Sequence, residues 1–502
     1  MIVRSNGGFS RRALLKGATI LALSSQVGPF VSAAKGQSTD EDARTLDLLK
    51  RSERDPRRRI LLQQGTILTM DPTIGDFAKA DLLIEGTRIA AIAPDLANAV
   101  RQGQGITINA SAMILTPGFV DAHRHSWAGQ LRGIIPNAGI SEYMGATHRG
   151  FAPFYRPEDM YAGNLITALG CIDAGITCII DNSHNSRSPE HSNQALKALF
   201  DSGIRAVHAS GAPTFGEWQR QWPNDLERLQ KEFFSSDDQL VTLRMYQLGL
   251  LRENLDVARR LGLWISSEGL NAAAWSNLEA WDAAGVLDGR HTLNHMYGEI
   301  PGRAWDLIKS KGITINVCPR SDSQYGLGAG IGGLQAVLDQ GLRPGLSVDN
   351  ETSYGTDMFT EMRVGYHMQR ALATYRKSRN EPNPPAPVSA RDMLEFATIR
   401  GAECAALGQK IGTLKPGKEA DIILIGSADI NTMPLTNATA TVVQFATNQN
   451  VDTVFVSGQV RKWRGKLNYK IQAMTTDTVR KLILDSRDYL LTKRGTKIQI
   501  VE

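Results

Sequence analysis

The chain has 502 residues, 42% of them hydrophobic, which is enough to bury a large core. Its formal charge of +5 mixes both signs, and the surplus includes the Arg/Lys-rich N-terminal stretch, so no nucleic-acid surface is read from it. Cys171, Cys178, Cys318 and Cys404 have no Cys-x-x-Cys or zinc-ribbon spacing; a Cys171–Cys178 disulfide is conceivable in an exported chain, but buried free thiols are the expected state.

The N-terminus reads Ser10-Arg11-Arg12-Ala13-Leu14-Leu15-Lys16, then an apolar run to about Val31, then Ser32-Ala33-Ala34. A basic region, a modest apolar run and small residues at a cleavage site make an export signal. The run is too short and too rich in Gly and Ser for a membrane span. The arginine pair in this context resembles the twin-arginine signal, whose machinery carries folded proteins. Residues 1–34 are therefore set aside from the fold, and the mature chain is expected in the periplasm or outside the cell, with no stable membrane span after cleavage. Residues 35–59 are charged and aperiodic, a linker or an early helix.

From Ile60 the pattern turns to short alternating runs punctuated by Gly65, Asp71-Pro72 and Glu85-Gly86, which indicates β-structure. Similar runs recur at residues 420–425 and 451–458. Strands at both ends of a long middle predict one discontinuous β-sandwich built from residues 60–114 and 413–470. Between them, residues 115–412 alternate apolar strand-like runs with amphipathic helices. Strand candidates fall at residues 119–125, 177–182, 205–210, 241–248, 263–267, 291–295, 314–317 and 344–348. Eight β/α units predict a closed parallel (β/α)8 barrel, a TIM barrel, in the α/β class. The tail, residues 471–502, carries an amphipathic helix that packs on the barrel or on a partner subunit, so a homo-oligomer is compatible with it.

In such a barrel the chemistry sits at the C-terminal ends of the strands. Strand one ends in His123-Arg124-His125, and residues two apart on a strand share a face. Taken alone, the pair is as well explained by an idle surface motif as by metal binding. Strand two ends at Asp181-Asn182-Ser183-His184, strand five at Ser266-Ser267-Glu268, strand six at Asn294-His295 and strand eight at Val348-Asp349. His295 and Asp349 gain weight because a metal held by two imidazoles needs further ligands and a base. His208 and His291 lie upstream on their strands and read as packing residues. His148, His191 and His367, on helices, read as structural or solvent-exposed.

Pro117-Gly118-Phe119-Val120-Asp121-Ala122-His123-x-His125, Asn294-His295, Cys318-Pro319-Arg320-Ser321, Ser347-Val348-Asp349 and Asp357-Met358-Phe359-x-Glu361-Met362-Arg363 resemble the amidohydrolase superfamily. So does the tail motif from Ile411-Gly412 to Ala420-Asp421-Ile422. The resemblance, to cytosine-deaminase-like and chlorohydrolase-like members, spans roughly Ile60 to Leu467. It implies one divalent metal, zinc by preference with Fe2+ or Mn2+ as alternatives. It makes His123, His125 and Asp349 ligands, Asp349 also the proton acceptor, and His295 the residue that polarises water or holds a developing oxyanion.

This chain departs from the pattern at strand five. Deaminases of the superfamily carry His-x-x-Glu there, with His as ligand and Glu as ring-protonating acid; here Ile265 stands three residues before Glu268. Glu268 is either that acid, with the ligand lost, or a carboxylate in the ligand's place. The second reading is preferred, because a carboxylate binds borderline metals and isoleucine does not. Strand four has no lysine, which argues against a two-metal site bridged by a carbamylated lysine. Trp127, His184, Trp218, Met296, Tyr297 and Arg320 are the candidate contacts to a small, flat, largely apolar substrate; Arg124 is assigned to a barrel carboxylate. The reading is hydrolysis of a non-peptide C–N bond in an amide, lactam, urea or similar group. The alternatives are deamination of an aminated heterocycle, metal-dependent decarboxylation, or a non-catalytic binding barrel.

Overall fold

The structure, a computed structural model, describes residues 40–500 apart from 104, 237, 331, 469–474 and 499. The expected export signal lies outside the described residues. Among them, no helix is long and apolar enough to cross a membrane.

Eight parallel strands pair in chain order: Phe119–Arg124, Ile176–Ser183, Arg205–Ser210, Val241–Leu248, Ile265–Glu268, His291–Asn294, Thr314–Val317 and Gly345–Leu346. The first and last meet through a parallel bridge between Arg124 and Asp349, with Asp349 N donating to His123 O and His125 N to Asp349 O. The sheet thus closes into a (β/α)8 barrel wrapped by helices that include Pro157–Asp173, Pro189–Ser202 and Met358–Ser378. Inside, Val120, Ala122, Cys178, Ile180, Val207 and Ala209 pack against Ala402, Cys404, Leu407 and Ile411, residues that follow the last barrel helix. This packing fills one end of the barrel and leaves the other for polar groups.

Nine more strands, from both ends of the described chain, form a second sheet. Its centre is the antiparallel pairing of Met113–Pro117 with Ile422–Gly426. The expected boundary at residue 115 therefore cuts through a strand: Met113–Pro117 belongs to this sheet and runs on into the first barrel strand. Gly118 makes the junction, since a Cβ there would lie 2.1 Å from the Thr177 hydroxyl. The expected sandwich takes the form of one continuous hydrogen-bonded sheet with two apolar faces. Ile422 and Leu424 pack in the sheet's own core with Ile60, Leu62 and Leu115. Ile423 and Ile425, alternating with them, pack with Phe119 and Ile176 of the barrel. A buried bidentate pair, Arg205 to Asp421 at 2.9 Å for both contacts, ties the third barrel strand to the sheet.

Residues 40–51 of the segment left between linker and helix are the helix Asp40–Arg51. The tail forms the helix Thr476–Arg494, and it packs on the barrel. Leu490 and Leu491 join Trp127, Phe151 and Tyr155 in one apolar cluster, and Ser486 donates to Asp159 at 2.7 Å. The four cysteines are buried free thiols.

Candidate active site

The first strand bulges between Asp121 and Arg124, where its pairing with the second slips register. Beyond the slip, His123 and His125 project together at the open end. His123 Nε2 lies 3.0 Å from Glu268 Oε2 and 3.5 Å from Asp349 Oδ1; His125 Nε2 lies 3.6 Å from Glu268 Oε1 and 3.4 Å from Asp349 Oδ1. His295 Nε2 completes the ring at 3.6 Å from Glu268 Oε2. Four strands that are far apart in sequence thus bring five donor side chains to one point. Sets of three, His123/His125/Asp349 and His123/Glu268/His295, have ligand atoms within 4.8 Å of one another.

These residues fit a divalent ion on a specific observation: His123 Nε2 and Asp349 Oδ1 are buried, aimed at the same point, and lack a hydrogen-bond partner. Two carboxylates and two imidazoles form the borderline donor set that zinc accepts. The rings of His123 and His125 are oriented from behind. Asn182 meets His123 Nδ1 with its side-chain amide, and His184 Nε2 lies 3.0 Å from His125 Nδ1. Tyr246 donates its hydroxyl to Glu268 Oε1, and Ser321 donates to Asp349 Oδ2.

Charge in the site follows from this crowding. Burial works against the charged form of His123, but Glu268 and Asp349 beside it override that and raise its pKa to about 9. Burial likewise opposes the Glu268 and Asp349 carboxylates, yet the surrounding histidines hold both well below the usual carboxylate range. The buried anions call for a cation, which a divalent metal ion would supply in place of protons. His295 is buried too, but Cys318 and the contact from Asp322 Oδ1, 2.8 Å from Nδ1, push it well up. His148 and His184 behave oppositely: burial dominates, lowering His148 to about 3 and His184 well below the ordinary histidine value.

A cavity of about 230 Å3 opens over the cluster, its wall including Tyr143, His148, His184, Tyr246, Tyr297 and Tyr325. No lysine or arginine lines it among the described residues. Of the expected substrate contacts, His184 and Tyr297 are in this wall and the other four are not. Trp127 is fully buried behind it, edge-on to His184. Met296 is packed in the core because its backbone turns left-handed (φ 56°). Trp218 lies away from the cavity under Arg220. Arg320 gives its guanidinium to Glu361 at 3.1 Å and to Gly355 O at 3.0 Å, so its charge is already committed. Arg124 pairs with Asp121 and Glu351 inside the protein, as its assignment to a barrel carboxylate required.

Sequence reasoning missed Asn182, Tyr246, His148 and Asp322. Asn182 stands in the quoted strand-two end, two residues before His184, and Asp322 directly follows the Cys318–Ser321 motif. Tyr246 lies inside the fourth barrel strand, Val241–Leu248, where nothing local distinguishes it from a packing residue. His148 belongs to a π-helical turn, Met144–Phe151, that the helical periodicity could not place against the cavity.

The amidohydrolase family profile matches residues 114–461, the barrel together with the C-terminal part of the second sheet. The chain belongs to the amidohydrolase family. Among curated amidohydrolase relatives, it is 26% identical to a 5-methylthioadenosine/S-adenosylhomocysteine deaminase of Pelotomaculum thermopropionicum, over 80% of this chain and 92% of that protein. It is also 26% identical to a 5′-deoxyadenosine deaminase of Methanobrevibacter smithii, over 81% of this chain and 93% of that one. Among solved structures, an adenosine deaminase from Xanthomonas campestris with bound zinc superposes with a TM-score of 0.72 at 18% identity, covering 86% of this chain and 98% of that chain. A mutant atrazine chlorohydrolase from Arthrobacter aurescens TC1, complexed with zinc and atraton, gives 0.70 at 18% identity, covering 86% and 100%. These two likenesses are of fold.

Proposed function

We propose that this amidohydrolase binds one divalent ion, zinc by preference with Fe2+ or Mn2+ as alternatives, through His123, His125, Glu268 and Asp349, and hydrolyses a C–N bond in a small, neutral, largely aromatic molecule. The observation that carries the reading is the pair of unpartnered buried atoms, His123 Nε2 and Asp349 Oδ1, converging with Glu268 at the barrel mouth. The ion, when bound, supplies the Lewis acidity that makes water a nucleophile near neutral pH. The protein's part is to place and move protons. Asp349 takes the proton of the attacking water and returns it to the leaving nitrogen. His295, fixed by Asp322, presents Nε2 to the oxygen on which charge develops. The absence of any lysine or arginine from the described cavity wall favours a substrate without a negative charge.

Among C–N hydrolyses, release of ammonia from an aminated heterocycle is the reading that the named relatives favour. The first reading, opening of an amide, lactam or urea, draws support from Glu268 and Asp349, the two carboxylates of the described wall, both of which stand among the proposed metal donors and leave no carboxylate outside that set to protonate a ring. The zinc-loaded chain should be assayed for ammonia on aminopurines, aminopyrimidines and their nucleosides, and for ring opening or amine release on cyclic amides and ureas. Ammonia release alone assigns the deaminase. Inactivity of a metal-replete chain on both panels sinks the hydrolase.

Glu268→Gln should lower the bound metal; stoichiometric metal with normal activity would remove Glu268 from the ligand set. We also propose that residues 1–34 direct export by the twin-arginine route. Arg11→Lys with Arg12→Lys should then retain the chain in the cytoplasm, and continued export would point to another path.

A further inference from the structure

His184 does more than line the cavity. Its Nε2 stands 3.0 Å from His125 Nδ1, nearer than the competing Asn182 carbonyl at 3.4 Å. The ring is packed among aromatic side chains: His148 stacks on it at 5.1 Å and 4°, Tyr246 at 5.2 Å and 27°, and Trp127 stands edge-on at 5.5 Å. All four side chains are buried, which restricts the His184 ring.

We propose that His184 is a positioning residue for the metal centre: held in an aromatic stack, it accepts the Nδ1–H of His125 through Nε2 and so fixes that ligand's tautomer and aim. The inference rests on the reading of His125 as a ligand. An imidazole that binds metal through Nε2 carries its proton on Nδ1, and it needs an acceptor there; most such ligands use a carboxylate or a carbonyl. Here the acceptor is uncharged, and that has a reason in the charge balance of the site. Two carboxylates, Glu268 and Asp349, already match a dication. A third anion behind His125 would leave the centre negative inside a buried pocket, whereas His184 orients the ligand without adding charge. In accepting through Nε2, His184 carries its own proton on Nδ1. The stack against Tyr246 couples it to Glu268, since the same tyrosine donates its hydroxyl to that carboxylate.

Two substitutions separate acceptance from packing. His184→Phe keeps a ring in the stack and removes the acceptor; His184→Gln removes the ring and keeps an acceptor oxygen. Zinc dissociation constants, measured on the full chain by competition with a chromophoric chelator, should weaken by about 10- to 100-fold in His184→Phe and stay near the parent value in His184→Gln. Parent-like affinity in His184→Phe overturns the proposal, as does a loss in His184→Gln equal to or larger than that in His184→Phe, which is the signature of packing alone. Should His184→Phe fail to fold, as judged by circular dichroism, His184→Gln decides by itself: near-parent affinity upholds the proposal, and a loss of about 10-fold or more overturns it. Two zinc ions per parent chain, falling to one in His184→Phe, would make His184 a ligand and also overturn it. His125→Ala retaining stoichiometric zinc would instead sink the ligand reading on which the proposal stands.

Discussion

At Asp349 the backbone turns left-handed, with φ 73°, and His295 does the same at φ 69°. Non-glycine residues take this conformation only where the surroundings hold them there, at a cost on the order of 1–3 kcal/mol each. Two of the residues that carry the proposed chemistry are thus aimed by strained backbone. Asparagine tolerates this conformation well, so Asp349→Asn should match the parent in urea stability when both are metal-free, while kcat falls by about 10²- to 10⁴-fold. A variant of near-parent kcat would show that the proton moves elsewhere. Asp322→Asn should lower kcat while leaving zinc affinity unchanged, because it touches His295 Nδ1 and none of the proposed ligands. A pH effect belongs to His291, buried against Trp281 with Nδ1 unpartnered. Burial lowers its pKa to about 4. The unfolded chain takes up that proton near 6.5, so the contribution is constant above this value and stability falls as pH drops from about 6.5 towards 4. At pH 5 the loss is about 2 kcal/mol. Urea unfolding of His291→Gln should show a correspondingly flatter profile between pH 7 and 5.

Among elements, the C-terminal helix Thr476–Arg494 has the widest reach. It braces the loop after the first barrel strand through Leu490 and Leu491, through Arg156 stacked 3.5 Å from the Tyr489 ring centroid, and through Ser486. That same loop carries Tyr143 and His148 into the cavity wall. Leu490→Ala should cost about 2–5 kcal/mol in urea unfolding and raise KM more than it lowers kcat, since the proposed ligands are on other elements. The eight barrel strands were legible in the sequence because each is a compact apolar run ending in polar residues, and the observed strands lie within two or three residues of the expected ones. The site was legible in part. His123, His125, His295 and Asp349 stand at strand ends, where a barrel rule can find them. Asp322 and Tyr246 act across 27 and 22 residues of chain onto His295 and Glu268, and no local pattern encodes such a meeting. The sheet strand Met113–Pro117 was hidden for a related reason: it runs without a break into the first barrel strand, so the sequence offers a single apolar stretch.

For the whole molecule, the proposed cation would be a structural member as well as a reagent. Two buried carboxylates face His123 and His125, and a ligand that binds only the folded state stabilises it by mass action. Stripping the ion with a chelator should lower Tm, and added zinc should restore it in a concentration-dependent way; a Tm indifferent to zinc would mean that the ion is not held by the folded barrel.

The pairing of Met113–Pro117 with Ile422–Gly426 and the seating of the last helix on the first loop also set a timetable for synthesis. All of the proposed ligands have been made once residue 349 is joined, yet the sheet that receives the first strand lacks its partner until residue 426, and the cavity loop lacks its brace until residue 491. Contacts that span so much of the chain form late. A ribosome-bound chain can therefore hold every donor atom of the proposed site before the contacts that brace it exist.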